Sequence, residues 1–312
     1  MIRYTLRQLE YFEMAAHCRS IAAASQRLNV SQPSISSAIR KLEAELGVDL
    51  LIRHHAQGVS LTRAGARFLK EARNLLRLGR ELHLEAGAED AGTSGTLAVG
   101  CFATFAPILM PRLIAEVSQR HPAVTITLEE GTQTDLIRLL RGGDIEVALL
   151  YDLELPEDIQ VQQVARLVPQ VLLPASHRLA SAPSVRLESL IDEPFILLDI
   201  PPSHEYFLGL FRALGLRPAI KFSSHTLETV RGMVGQGLGY SILATRPRVD
   251  HTYDGASVVV KPIGNRVQSS AIAIARLAKV RPTRTALSFE SLCRERLADL
   301  LAAPEQPRAV LA

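Results

Sequence analysis

At 312 residues the chain is long enough for two or three domains with a substantial core. Its 47% hydrophobic and 21% charged content is that of an ordinary globular protein, and no stretch approaches the roughly 18 consecutive apolar residues of a membrane span. The net charge of +3 hides an asymmetry: residues 1–80 carry 13 Lys and Arg against 6 Asp and Glu, whereas the remainder carries 22 against 26.

A block of +7 therefore precedes one of −4, and a basic N-terminal quarter suits a polyanion whose released counterions supply affinity that falls with salt. The opening MIRYTLRQLEYF is mixed and helical rather than a signal peptide, so a cytoplasmic place is expected by elimination. Leu6, Leu9, Phe12 and Ala16 give this first helix an apolar face that can close over the next two helices. Ser20 can cap a short Ala-rich helix, Ile21 to Leu28, and Asn29-Val30 makes a turn before Ser31.

Ser31 is the N-cap expected for the next helix, with Pro33 in its first turn and Gly47 at its end. Ile35, Ile39, Leu42 and Leu46 recur at helical spacing as one apolar stripe. The other side shows Gln32, Ser34, Ser36, Ser37, Arg40 and Lys41: short polar groups first, positive charge later. Two short helices with a tight joint form a helix-turn-helix. The polar N-terminal end of the second suits base edges and its basic residues suit phosphates. Gln32 is the foremost base reader, since a Gln amide can donate to adenine N7 and accept from N6–H together.

After Gly47, VDLLIR and VSLT flank HHAQG as a hairpin wing. Arg53, entering the wing, is the candidate to hold a phosphate or enter a minor groove. His54 and His55 lack neighbouring ligands and read as an exposed loop rather than a metal site. Thr62 caps a long helix through residue 90, and the free N–H groups of its first turn are a second phosphate site. Phe68, Leu69, Leu75, Leu76, Leu78, Leu82 and Leu84 are more apolar groups than an isolated exposed helix carries; the simplest partner is the same helix of a second subunit, the alternative being packing on its own domain. Ala91-Gly92-Thr93-Ser94-Gly95 then reads as a hinge.

Up to this point the chain resembles the N-terminal domain of the LysR-type transcriptional regulators. The matching residues are LRQLEYF, AAASQRLNVSQPSISSAIRKLEAELGVDLL, Arg53 and Leu61-Thr62-x-Ala64-Gly65, and the match is close over roughly the first 90 residues. Where many of that family carry Arg and Gln, this chain has Ser37 and Ala38.

From Thr96 strands and helices alternate. LAVGC, VTITLEE and IEVALLY are strands separated by the helices FAPILMPRLIAEVSQRH and TDLIRLLRGG, a βαβαβ unit that implies a parallel sheet with right-handed crossovers. VQQVARLVPQVLLP, PFILLDI, AIKFSS, LGYSILA, VVVKPI and SSAIAIARLA supply further strands. Helices follow near His204 to Leu214 and Thr226 to Gln236, and RTALSFESLCRERLADLLAA closes the chain. EEGTQTDLIRLLRGGDIEVALL, LLPASHRLA and VRGMVGQGLGYSIL extend the same resemblance. It implies an α/β module like a periplasmic binding protein, two lobes joined by crossing strands near Val164–Val168 and Val267–Ala271. The division expected is a winged helix-turn-helix in 1–62, a linker helix in 63–90 and an effector domain in 91–303, with 304–312 a tail. Lobe I would take about 96–164 and 268–303, and lobe II about 165–267.

Ligands of open α/β sheets lie beyond the carboxyl ends of strands, beside helix N-termini. Those positions are Cys101 and Thr104, then Thr132 and Gln133, then Tyr151; across the cleft come Pro202, Ser203 and His204, then His225 and Thr226. Hydroxyls, an amide and helix ends favour an anion, and the histidines can add positive charge, so a small carboxylate-bearing effector is expected. Thr104, Gln133, Ser203 and His225 are expected to meet at one cleft.

Cys18, Cys101 and Cys293, odd in number and far apart, imply no disulfide framework and read as core residues. Glu129 and Glu130 are adjacent in a strand and point to opposite faces, so they make no acid/base dyad. GQGLGYS lacks the spacing of a dinucleotide loop, and no cofactor is called for. The function expected is sequence-specific binding of double-stranded DNA by an oligomer, tuned by a small molecule, with no catalysis. The resemblance adds a homotetramer built on linker-helix dimers and leaves RNA polymerase open as a further partner. The alternative is an enzyme or metabolite-binding protein whose α/β domain carries a DNA-binding head. A nucleophile–base set would mark the enzyme; the +7 block argues against the binding protein.

Overall fold

The computed structural model describes residues 3–54, 58–86 and 94–301, the side chains of 80–86 excepted. His55, the Leu82 and Leu84 side chains, hinge residues 91–93 and the tail lie outside them.

Local chemistry sets the helices of the head. α1 (Leu6–Cys18) opens with a reciprocal capping box between Thr5 and Gln8. Ser20 caps α2 (Ile21–Leu28), its Oγ accepting from Ala23 N at 3.2 Å. α3 (Gln32–Leu46) runs from the Ser31 cap to Gly47, whose left-handed backbone (φ 67) ends it. Leu9, Phe12, Ala15, Ile35, Ile39 and Leu42 close the core between them. Leu9 and Phe12 of the expected Leu6, Leu9, Phe12 and Ala16 face are buried on α1, with Tyr11 and Ala15 beside them. Leu6 sits in the first turn, exposed, beside Gly79 of the linker helix, and Ala16 is only partly buried.

The wing is β1 (Leu51–His54) against β2 (Gly58–Leu61), antiparallel with Arg53 opposite Val59. Val59 N donates to Arg19 O at 2.9 Å, which docks the wing on the end of α1. α4 (Arg63–Ala86) follows. Its apolar residues divide between two tasks rather than all serving a second subunit. Leu69, Ala72 and Leu76 are buried in the head's own core. Phe68 packs on Phe12 and Tyr4, with ring centroids 5.7 Å and 6.2 Å away. Leu75 and Leu78 remain 40% and 42% exposed.

The rest of the chain forms two sheets. β3 (Gly95–Phe102), α5 (Ala106–Arg120), β4 (Val124–Gly131), α6 (Gln133–Gly142) and β5 (Val147–Tyr151) are the expected βαβαβ unit, with β3 parallel to both β4 and β5. β6 (Ile159–Leu167) forms the edge of this sheet, and β7 (Gln170–Pro174) starts the second. There β8 (Pro194–Leu198), α7 (Ser203–Arg212), β9 (Ala219–Ser224), α8 (Leu227–Gly235), β10 (Ser241–Leu243) and β11 (Val258–Pro262) follow. The order is β10-β7-β11, and β8-β9 joins it through Ile196 N to Tyr240 O at 2.8 Å.

β12 (Ser270–Leu277) returns to the first sheet, whose order is β4-β3-β5-β12-β6, and α9 (Arg284–Leu301) packs on it. The crossings fall at 167–170 and 262–270, where β12 pairs with β6 as far as Ser270 opposite Leu167. This first sheet is mixed, not parallel throughout: β12 runs antiparallel to β5 and β6 because it enters from the second lobe.

Candidate functional site

The outward face of α3 carries Gln32, Pro33, Ser34, Ser37, Arg40 and Lys41, all exposed, with Ser36 half-buried at its margin. Thr5, Gln8, Pro33, Ser34, Ser37, Ala38 and Lys41 line a shallow groove of about 570 Å³ between α3 and the start of α1. Gln8 Nε2 donates to Ala38 O at 3.5 Å and sets the spacing of the two helices there. A neutral polar groove with cations at its rim matches base edges flanked by phosphates. The α1 side of this groove was not legible from the sequence; the Thr5–Gln8 capping box was the available signal.

Arg53 has a structural duty that its sequence context hides. Its Nη2 donates to Glu43 Oε2 at 2.8 Å while the side chain stays 42% exposed. Glu43, almost wholly buried on α3, also accepts from Leu50 N at 3.0 Å and Leu51 N at 3.1 Å through Oε1. The Thr62 hydroxyl donates to Asp49 O at 2.7 Å and accepts from Gly65 N at 2.8 Å. A phosphate held at this helix start would therefore meet backbone N–H groups rather than the Thr62 hydroxyl. His54 Nε2 lies 2.8 Å from Ser60 Oγ across the wing. Among the described residues no His, Cys, Asp and Glu group suited to a metal occurs.

Head and first lobe meet through the linker helix. Arg73 Nη1 contacts Asp144 Oδ1 at 2.6 Å and Gly142 O at 3.1 Å, and its Nε lies 3.4 Å from Glu13 Oε1. One guanidinium thereby touches α1 and the α6–β5 turn. A cavity of about 1050 Å³ opens beside it, lined among others by Leu6, Gly79, Thr96 and Arg276.

Between the lobes, Tyr151 is the centre. Its ring packs against Phe105 and Phe102, with centroids 4.5 Å and 5.1 Å away. Burial pushes its phenol up to about 12, against the partly offsetting hydroxyls of Thr104, Ser203 and Thr245 that face it. Thr104 and Ser203 come from opposite lobes, at the starts of α5 and α7, and are 3% and 1% exposed. Thr104 Oγ1 and Ser203 Oγ are nonetheless without a well-formed hydrogen bond, as are Ser270 Oγ and Gln133 Oε1. Neither α5 nor α7 has a side-chain cap; Ser203 N and His204 N donate to Ile200 O at 2.8 and 3.3 Å, and Ile108 N to Phe105 O at 2.9 Å, so what these helix starts offer is chiefly the positive end of their dipoles. Thr245, Ser270 and Tyr206 (its hydroxyl donating to Gln268 O at 2.7 Å) belong to the same surroundings, and sequence reading missed all three.

The other expected cleft residues differ in burial and partners. Cys101 is in the core of the first lobe, near Cys293, and burial pushes both thiols up; strand alternation turns it away from the cleft that Thr104 reaches. Thr132 caps α6, donating to Asp135 Oδ2 at 2.7 Å and accepting from Asp135 N. Pro202 precedes α7 at a cis peptide. His204 Nδ1 lies 2.7 Å from Asp199 Oδ1, and His225 Nδ1 donates to the Asp199 carbonyl. His225 and Thr226 are exposed. The sequence placed His225 with Thr104, Gln133 and Ser203; those three are buried, whereas His225, in the β9–α8 connection, is exposed.

A winged helix-turn-helix on a long helix, with a two-lobed α/β module behind it, is the architecture of a DNA-binding transcriptional regulator with an effector domain. The family model described as "Bacterial regulatory helix-turn-helix protein, lysR family" matches residues 6–66, and that of the LysR substrate binding domain matches residues 90–298. The HTH-type transcriptional regulator YvbU of Bacillus subtilis (strain 168) is 35% identical over 243 residues, 77% of this chain and 81% of that one. The structure of HinK, a LysR family transcriptional regulator from Pseudomonas aeruginosa, superimposes with TM-score 0.65 at 43% identity, over 95% of this chain and all (100%) of that one. Full-length CbnR complexed with its target DNA does so with TM-score 0.62 at 26% identity, over 93% and 99%. The chain belongs to the LysR family of transcriptional regulators. None of its described helices is long and apolar enough to cross a membrane.

Proposed function

We propose that the chain reads duplex DNA through α3 and the wing and sets that binding by a small acid held between its lobes, without catalysing a reaction. Residues 1–62 would be the reading head, 63–90 the helix that pairs subunits, and 91–303 the effector domain, working on promoter DNA in the cytoplasm. The observation that carries the effector half is the buried hydroxyl pair Thr104 and Ser203, without a well-formed hydrogen bond, facing Tyr151 across the two lobes. Burying hydroxyls without partners costs about 1–3 kcal/mol each, a cost that a ligand bound there removes. Two uncapped helix starts beside them favour an anion. A ligand that binds one arrangement of the lobes better than another shifts the population. Arg73 gives that shift a physical route to the head.

Exposed Leu75 and Leu78 support pairing of linker helices, and CbnR, solved on its target DNA, supports the reading of the head. Thr104→Val keeps shape and removes the hydroxyl. It is expected to raise ligand-free melting, since a buried hydroxyl short of partners is removed, to leave DNA affinity unchanged, and to abolish the further rise in melting temperature expected of the wild type with monocarboxylates from acetate to benzoate. Retention of that rise by a folded Thr104→Val protein would remove Thr104 from the site.

For the head, the operator is obtained by selection from random duplexes. Gln32→Ala is expected to cost about 1–3 kcal/mol on that operator and to change affinity for unselected DNA little. An equal loss on both would mean that Gln32 positions the helix and reads no base.

A further inference from the structure

The effector site holds one polar atom whose chemistry is not interchangeable with that of its hydroxyl neighbours. Gln133 begins α6 at the same end of the sheet as Thr104 and Tyr151, and it is 5% exposed. Its Nε2 donates to Leu153 O at 2.5 Å, two residues beyond Tyr151. Only the nitrogen of an amide can face a carbonyl oxygen, so this bond fixes the orientation of the group. The other atom, Oε1, is buried and has no partner among the described residues.

Thr104, Ser203 and Ser270 can turn their hydroxyls to donate or to accept; Gln133 Oε1 can only accept. A carboxylate placed against it would meet lone pair with lone pair, so an acid group belongs at the hydroxyls and helix starts instead. We propose that Gln133 selects the effector by accepting a hydrogen bond from an O–H or N–H group that the acid carries, so that hydroxy or amino acids are preferred over their blocked analogues. This rests on the reading of the inter-lobe region as an acid site. It goes beyond that reading by assigning the second functional group of the ligand and the residue that recognises it. The Gln133 amide acts by complementarity: a ligand without the donor leaves Oε1 unpaired and desolvated, the circumstance that gives buried polar sites their largest discrimination.

The test uses full-length protein, isothermal titration and two matched pairs: glycolate with methoxyacetate, and 4-hydroxybenzoate with 4-methoxybenzoate. The hydroxy acid is expected to bind about tenfold or more tightly than its methyl ether in at least one pair. Gln133→Met, close in volume, is expected to bring that ratio toward one by weakening the hydroxy acid while leaving the ether nearly unchanged. Equal binding of both members of each pair, or an unchanged ratio in Gln133→Met, overturns the role of Gln133 and leaves the acid site standing. Binding of none of the four acids overturns the acid site as well. Should the variant fail to fold, the wild-type ratio alone decides between the outcomes.

Discussion

Gly65→Ala is expected to unfold the DNA-binding head while the effector domain keeps its own melting transition. A Cβ on Gly65 would lie 2.0 Å from Leu50 O and 2.9 Å from Leu50 C, both backbone atoms. Neither can swing aside, because Leu50 O already accepts from Thr62 N at 3.0 Å and Leu50 N is held by Glu43. The start of α4 would have to move off the wing, taking Leu69 and Phe68 out of the core. The cost belongs at or beyond the upper end of ordinary overpacking, about 3 kcal/mol or more. That is a large part of what a head of this size has to lose. Gly47→Ala is the control. Nothing lies within 4 Å of a Cβ there, and only the left-handed φ of 67° opposes it, which costs about 1–2 kcal/mol. Calorimetry of the two variants settles the order; a Gly65→Ala head as stable as Gly47→Ala would show that the contact relaxes cheaply.

This glycine also marks how far sequence reading goes. Leu61-Thr62-x-Ala64-Gly65 was recognisable as a pattern, but the reason for the glycine is the backbone of a residue fifteen positions earlier. Local signals carried well: Ser20, Ser31, Asn29 and Gly47 set the bounds of α2 and α3 because a cap is satisfied by its own neighbours. The βαβαβ unit was equally legible, each strand being a short apolar run between helices.

The sequence says less where burial is decided by distant elements. Of the apolar residues on α4, Leu69 and Leu76 are taken by the head's own core together with α1, while Leu75 and Leu78 remain exposed. Arg73 carries no local signal of its role, because only the fold brings Glu13 and Asp144 to it. In the cleft, position after a strand was too coarse a guide. Thr104, Tyr151 and Ser203 gather at the lobe boundary, whereas Cys101 turns into the core and His225 is exposed. Thr245 and Ser270 carry no motif, and nothing short of the crossing strands shows that they belong with Tyr151.

Glu43 was the largest omission, and it supports the second strong expectation. The helix pattern offers no reason to bury it, yet it is 6% exposed and ties the recognition helix to the wing. Burial alone would raise its carboxyl, but the bond from Arg53 and the N–H groups of Leu51 and Leu50 outweigh burial and hold it below the ordinary 4.5. Glu43→Ala strands two buried N–H groups, each bonded to a charged acceptor and so worth about 1.5–3 kcal/mol. A loss of about 3 kcal/mol or more is expected for the head. Arg53→Ala should cost less, since its guanidinium is 42% exposed and solvent screens the pair. Glu43→Gln keeps an oxygen for both N–H groups and should cost only about 1 kcal/mol. The acid response separates the two roles of the carboxylate. A group whose folded pKa is depressed stabilises above its unfolded value and loses that contribution as pH falls through the folded one. Wild-type stability should therefore drop more steeply than that of Glu43→Gln as pH falls below about 4.5, the ordinary value of this carboxyl. Melting curves of the head transition taken across the acid range measure that difference. Parallel curves for the two proteins would mean that the Glu43 charge contributes nothing, and that the oxygen alone joins helix to wing.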